Sequence, residues 1–76
     1  MKKSDFLDEL MEIMQRDEAL DSSDELDSLG EWDSMTVLGV ISMFDLEFGI
    51  TLTIDQLKAA KTIQDLIDLS NANVSN

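Results

Sequence analysis

Apolar residues recur at helical spacing from the start of the chain. Phe6, Leu7, Leu10, Met11, Ile13 and Met14 fall on one arc of a helical wheel, and Asp5, Asp8, Glu9, Glu12 and Gln15 occupy the other side. Recurrence at three- and four-residue steps predicts an amphipathic surface helix of about three turns, with Ser4 or Asp5 as its cap. The periodicity then lapses. Residues 16–33, RDEALDSSDELDSLGEWD, are rich in Asp, Glu and Ser but carry Leu20, Leu26, Leu29 and Trp32. A loop of that length in a small domain tends to be functional or internally packed. The four apolar residues predict that it is pinned across the helices.

Helical spacing returns from Ser34 to Phe48 and stops at Gly49, a residue suited to a left-handed helix end. Here Val37, Leu38, Val40, Ile41, Phe44 and Phe48 form a broad arc predicted to be buried. Met35, Thr36, Gly39, Ser42, Met43, Leu46 and Glu47 are predicted to face outward. Residues 50–54, ITLTI, alternate like a strand but have no partner strand, so they read as an extended connector. Thr53-Ile54-Asp55-Gln56 has the form of a capping box and opens a short helix reaching about Ala60. Thr62 opens a last helix with Ile63, Leu66, Ile67 and Leu69 inward and Asp65 near its positive end. The tail SNANVSN is predicted to fray. The sum is an all-α fold: a four-helix bundle with a long first loop and a short third helix, a single domain over residues 1–76 ordered from about 4 to 70.

Composition narrows the chemistry. The chain has no cysteine and no histidine among its 76 residues, so it lacks disulfides, thiolate metal sites and the commonest general base. That argues against a self-contained hydrolase or zinc protein. The segment MKKSDFLDEL turns acidic by Asp5 and has no apolar core, unlike a signal peptide, and no apolar run is long enough to span a bilayer. The expectation is a soluble cytoplasmic monomer. Its net charge of −12 argues against nucleic acids and anionic membranes as partners. Residues 1–33 hold twelve acids against three bases, and residues 34–76 five against two. Such a field solubilises the chain and steers basic partners towards it.

Two Asp-Ser-apolar triplets stand six residues apart, Asp27-Ser28-Leu29 and Asp33-Ser34-Met35. Ser28 runs into Leu29-Gly30, a turn. Ser34 runs into about four turns of helix behind Asp33, a good N-cap, where orphan amides and the helix dipole favour an attached anion. Taken by itself, a serine at a helix start is most often a cap.

Further residues extend the pattern around Ser34. Leu29-Gly30-Glu31-Trp32-Asp33-Ser34-Met35 before a long helix resembles the acyl carrier protein signature, in which Leu-Gly precedes Asp-Ser-Leu. Phe44-Asp45-Leu46-Glu47-Phe48-Gly49-Ile50 is similar to the end of that family's second helix, and Lys61-Thr62-Ile63-Gln64-Asp65-Leu66 to the start of its last. The resemblance covers residues 5–70. It implies a carrier that is not itself an enzyme. A separate phosphopantetheinyl transferase, using Mg²⁺ and coenzyme A, would attach 4′-phosphopantetheine to Ser34, with Asp33 as its recognition residue. The arm's thiol would hold acyl or aminoacyl groups as thioesters, supplying the sulfur nucleophile this cysteine-free chain lacks. Loading and acyl-transfer enzymes would then be transient partners.

The chain departs from the family pattern in three places. Met35 replaces the usual Leu, a conservative change at an adaptable surface. Trp32 reads as an aromatic cover over the core or as a contact for the arm. The outward side of the second helix, Met35, Gly39, Ser42, Met43 and Leu46, carries little charge, with Asp45 and Glu47 its only acids, and the short helix carries Lys58. This predicts docking of partner enzymes mainly by apolar contact, and a dedicated biosynthetic pathway (polyketide, nonribosomal peptide, lipid or surface polysaccharide) rather than housekeeping fatty acid synthesis. Val37, Ile41, Leu57 and Ile63 read as core or as lining of an acyl pocket.

Two other classes compete. A calcium loop fails on spacing, because Leu26 stands where the loop needs Gly and Trp32 where it needs Glu. A non-covalent acidic interaction domain without cofactor differs from a carrier in one testable respect: it would work unchanged as Ser34→Ala.

Overall fold

The computed structural model describes residues 1–75. Four helices run in chain order: α1 (Lys3–Met14), α2 (Ser34–Phe48), α3 (Ile54–Ala59) and α4 (Ile63–Leu69), with a single 3₁₀ turn at Leu26–Ser28 in the first loop. This is the all-α four-helix bundle that the periodicity predicts, and no sheet forms among the described residues. No described helix is long and apolar enough to cross a membrane.

Phe6 and Leu10 of α1, Val40 and Phe44 of α2, Leu57 of α3 and Ile63 and Leu66 of α4 are fully buried in one core. Each such side chain contributes roughly 1.5–3 kcal/mol of burial free energy. Phe44 sits at the centre. Its ring meets Phe6 edge-on at 6.0 Å and Phe48 edge-on at 5.1 Å, the arrangement that ring quadrupoles favour. Gly39 marks the close approach of α1 to α2: a Cβ there would lie 2.7 Å from Cγ2 of Ile13.

The helix ends follow local chemistry. Asp33 caps α2, accepting from the Thr36 N–H, and Gly49 stops that helix at φ +66°. Thr53 and Thr62 each form a capping box, with Gln56 and Asp65 respectively. The long loop is pinned as expected, with Leu20, Leu26 and Leu29 buried. Its backbone also serves α4: the carbonyls of Ser22 and Asp24 accept from the first-turn N–H groups of Gln64 (2.9 Å) and Ile63 (3.1 Å). These bonds satisfy donors that a helix start leaves unpaired.

Two expectations about the chain ends are corrected together. Neither Ser4 nor Asp5 caps α1; the N-cap is Lys2, which makes no side-chain cap bond. The tail, expected to fray, is packed as far as Ser75, since Val74 is buried and Ser75 pairs with Lys2; Asn76 lies outside the described residues. The Ser75 carbonyl accepts from the Lys3 N–H at 2.6 Å, the Ser75 N–H donates to the Met1 carbonyl at 2.8 Å, and the Met1 ammonium donates to the Asn73 carbonyl at 2.8 Å. A main-chain carbonyl from the far end of the sequence thus does the work of a side-chain cap.

Candidate functional site

The site assembles where the first loop becomes α2. Trp32 N–H donates to the Leu29 carbonyl and Asp33 N–H to the Glu31 carbonyl, folding residues 29–33 into successive tight turns. Thr36, one turn into the helix, ties that segment down twice. Its N–H donates to the Asp33 carboxylate at 3.0 Å and its hydroxyl to the Glu31 carbonyl at 2.6 Å. The Asp33 carboxyl is held below the usual carboxylate range, chiefly by the Thr36 N–H acting on its charged form.

Ser34, the first residue of α2, is exposed, and its hydroxyl forms no hydrogen bond among the described residues. It stands at the positive end of a fifteen-residue helix. Ser28 is tied into its own turn, with Oγ donating to the Glu25 carbonyl at 2.8 Å. The two Asp-Ser triplets therefore differ physically. Only Ser34 presents a free oxygen where a helix terminus would stabilise an attached anion.

Beside Ser34 lies a cleft of about 340 Å³ between α2 and α3, lined by Trp32, Asp33, Ser34, Val37, Leu38, Ile54 and Lys58. An exposed hydroxyl, a helix terminus and an adjoining mostly apolar cleft fit a phosphodiester that continues into an aliphatic arm.

The outward face of α2 differs from the sequence reading. Met35 and Leu46 are each 82% exposed, and Ser42 is exposed as expected. Met43, expected on the surface, is 5% exposed and belongs to the core. Gly39 turns towards Ile13 of α1 rather than outward. Leu38, expected inside, is 58% exposed, whereas Thr36, expected outside, is buried. The true inner arc is Thr36, Val40, Met43 and Phe44, spaced by four, three and one. Hydropathy alone rotates the helix wrongly, because nearly every residue on it is apolar. The better signals were the smallest side chain, Gly39, marking a helix crossing, and Thr36, whose hydroxyl meets a loop carbonyl.

Ile54 and Lys58 of α3, with Leu38, were missed as neighbours of Ser34; all three come from packing distant segments that no motif spans. Of the four acyl-pocket candidates, Leu57 and Ile63 are fully buried, Ile41 is half-buried, and Val37 reaches the cleft.

A family model described as phosphopantetheine attachment site matches residues 4–70. No curated protein and no solved structure matches the chain. With the match spanning nearly the whole helical bundle, the chain belongs to the phosphopantetheine attachment site family, the carrier domains that bear covalently attached 4′-phosphopantetheine.

Proposed function

We propose that Ser34 is the attachment residue and that the chain, a single-domain cytoplasmic monomer, carries acyl or aminoacyl groups as thioesters for a dedicated biosynthetic pathway. The observation that carries this reading is the contrast between the exposed, unbonded Ser34 hydroxyl at the start of α2 and the tied Ser28 hydroxyl. In the attachment reaction Ser34 Oγ forms the new P–O bond at the pantetheine-bearing phosphorus of coenzyme A. The pyrophosphate P–O bond breaks, adenosine 3′,5′-bisphosphate leaves with the electron pair, and the hydroxyl proton passes to a base on the transferase. Asp33 serves recognition by that transferase, its carboxylate held in place by Thr36.

Partner enzymes that load and accept the cargo dock on Met35, Leu38, Ser42 and Leu46. This exposed stripe has an apolar character, with Asp45 and Glu47 the acids on the same helix surface. The acidic first half of the chain acts on encounter rather than in the docked contact. The low charge of the stripe supports the dedicated pathway over a housekeeping one.

Thioester chemistry tests this function directly. The phosphopantetheine-bearing chain, charged with a radiolabelled acyl group by a loading enzyme, should release it with hydroxylamine, and Ser34→Ala should take up no label. Stable labelling of Ser34→Ala would contradict the carrier role of this residue, and absence of label on the wild type would favour the non-covalent reading.

A further inference from the structure

The chain has five methionines and no cysteine, so before any arm is attached its thioethers are its only sulfur atoms. The fold sorts them by access. Met14 and Met43 are buried in the core, and Met1 and Met11 are half-buried against it. Met35 is 82% exposed. It stands in the first turn of α2, directly after Ser34, and lines a cleft of about 340 Å³ together with Glu31 and Asp33. An enzyme that reads Asp33 and reaches the Ser34 hydroxyl therefore covers Met35. A leucine at this position would make the same apolar contact with no lone pair to react; the methionine adds a nucleophilic atom at the point where partners converge.

Resting on the attachment and docking readings above, we infer that Met35 is a site of reversible oxidation: a peroxide converts its thioether to the sulfoxide, and the chain is then read less well by the enzymes that act at Ser34. A sulfur lone pair attacks one oxygen of hydrogen peroxide, the S–O bond forms and the O–O bond breaks. The departing hydroxide takes the proton from the oxygen that stays on sulfur and leaves as water. Sulfur gives up two electrons and the peroxide gains them. The product is a polar acceptor in the middle of an apolar contact, and covering it without a donor is costly. The same change at Met14 or Met43 would put that oxygen into the core and damage the fold. At Met35 it meets solvent in the free chain, so recognition changes while the fold stands. The same exposure lets methionine sulfoxide reductases reach both sulfoxide epimers and reverse the step.

The test uses the apo chain, treated with rising doses of hydrogen peroxide and mapped by peptide mass. Met35 should gain one oxygen at least about tenfold faster than Met14 or Met43. Loading of the oxidised chain by a phosphopantetheinyl transferase with coenzyme A and Mg²⁺ should show a KM about tenfold higher than that of the untreated chain, with circular dichroism unaltered. Incubation with the two classes of reductase should restore it. Met35→Leu, compared with its own untreated sample, should lose nothing at the same peroxide dose. Oxidation of Met35 no faster than that of Met14 or Met43, an unchanged KM after oxidation, or an equal loss in treated Met35→Leu would each overturn the inference. No loading of the untreated wild type would instead fail the Ser34 reading on which the inference rests, whereas loading that oxidation leaves unchanged fails the inference alone.

Discussion

Nη1 of Arg16 lies 2.8 Å from Oε1 of Glu31, joining the residue just past the end of α1 to the turn that precedes Ser34. The Arg16 side chain is only 17% exposed, and its Nη2 also reaches Glu18 at 3.5 Å. Glu31 is in turn held through its carbonyl by the Thr36 hydroxyl. A partly buried, charge-assisted bond of this kind is stronger than a solvent-exposed pair, and removing the guanidinium also removes packing of its stem. Arg16→Ala should cost about 1–2 kcal/mol and Glu31→Gln about half as much. In urea unfolding the double variant should show a coupling of at least about 0.5 kcal/mol.

Gly39→Ala tests the helix crossing. Alanine in a helix interior gains up to about 1 kcal/mol over glycine. Here its Cβ would press on Cγ2 of Ile13 at 2.7 Å, and a β-branched side chain on a helix has little rotamer freedom to yield. Overpacking of about 1–3 kcal/mol should win, giving a net loss of stability. Ile13→Leu removes Cγ2, so the double variant should be more stable than Gly39→Ala alone. The comparison is read from thermal midpoints.

Met43 and Leu46 sit three residues apart on α2 but should behave oppositely. Met43→Ala opens a cavity in the core and should cost roughly 2–5 kcal/mol. Leu46→Glu alters an 82% exposed side chain and should leave unfolding within about 0.5 kcal/mol of wild type. Transfer of cargo to a cognate enzyme should nonetheless fall in Leu46→Glu, as a rise in KM. Unchanged transfer would remove the apolar stripe as the docking surface.

The acids of the first half carry a pH signature. Burial raises the Glu9 pKa, with Glu47, Glu12 and Asp5 adding like-charge repulsion. These residues share a cleft of about 560 Å³ between α1 and the end of α2. A carboxyl whose folded-state pKa lies above its unfolded value binds its proton more readily when folded. Its ionisation therefore costs stability as pH rises through the folded pKa, and the penalty is absent below the ordinary value of 4.5. Glu9→Gln should raise the thermal midpoint at neutral pH, and the gain should vanish as pH falls below that value.

Asp65 shows the opposite sign. The N–H groups of Lys61 and Thr62 hold its carboxyl below the ordinary value of 3.8. Its contribution is present above that value and is lost as pH falls through the lower folded-state pKa. Asp65→Asn should lower the midpoint at neutral pH, with the deficit closing in strong acid. Calorimetry across the acid range separates the two carboxyls.

Legibility from sequence tracked the range of the interactions. The caps at Asp33, Thr53 and Thr62 and the stop at Gly49 were readable because each is decided within about four residues by a side chain and its own backbone. The α1 start was not, because its cap is the Ser75 carbonyl. The rotation of α2 was misread for a related reason: a helix apolar on most sides has no moment to orient it, and Thr36, Gly39 and Leu38 are placed by contacts with the loop, α1 and α3. Ser34 and Asp33 were found by motif and helix-end chemistry. The cleft beside them was invisible, since Ile54 and Lys58 reach it only through the packing of α3 against α2.

The measurement that bears most directly on the central claim is intact mass after incubation with coenzyme A, Mg²⁺ and a broad-specificity phosphopantetheinyl transferase. Wild type and Ser28→Ala should each gain one phosphopantetheine, and Ser34→Ala should gain none. A gain that persists in Ser34→Ala, or no gain by wild type with several transferases, would contradict the assignment of Ser34 as the attachment residue.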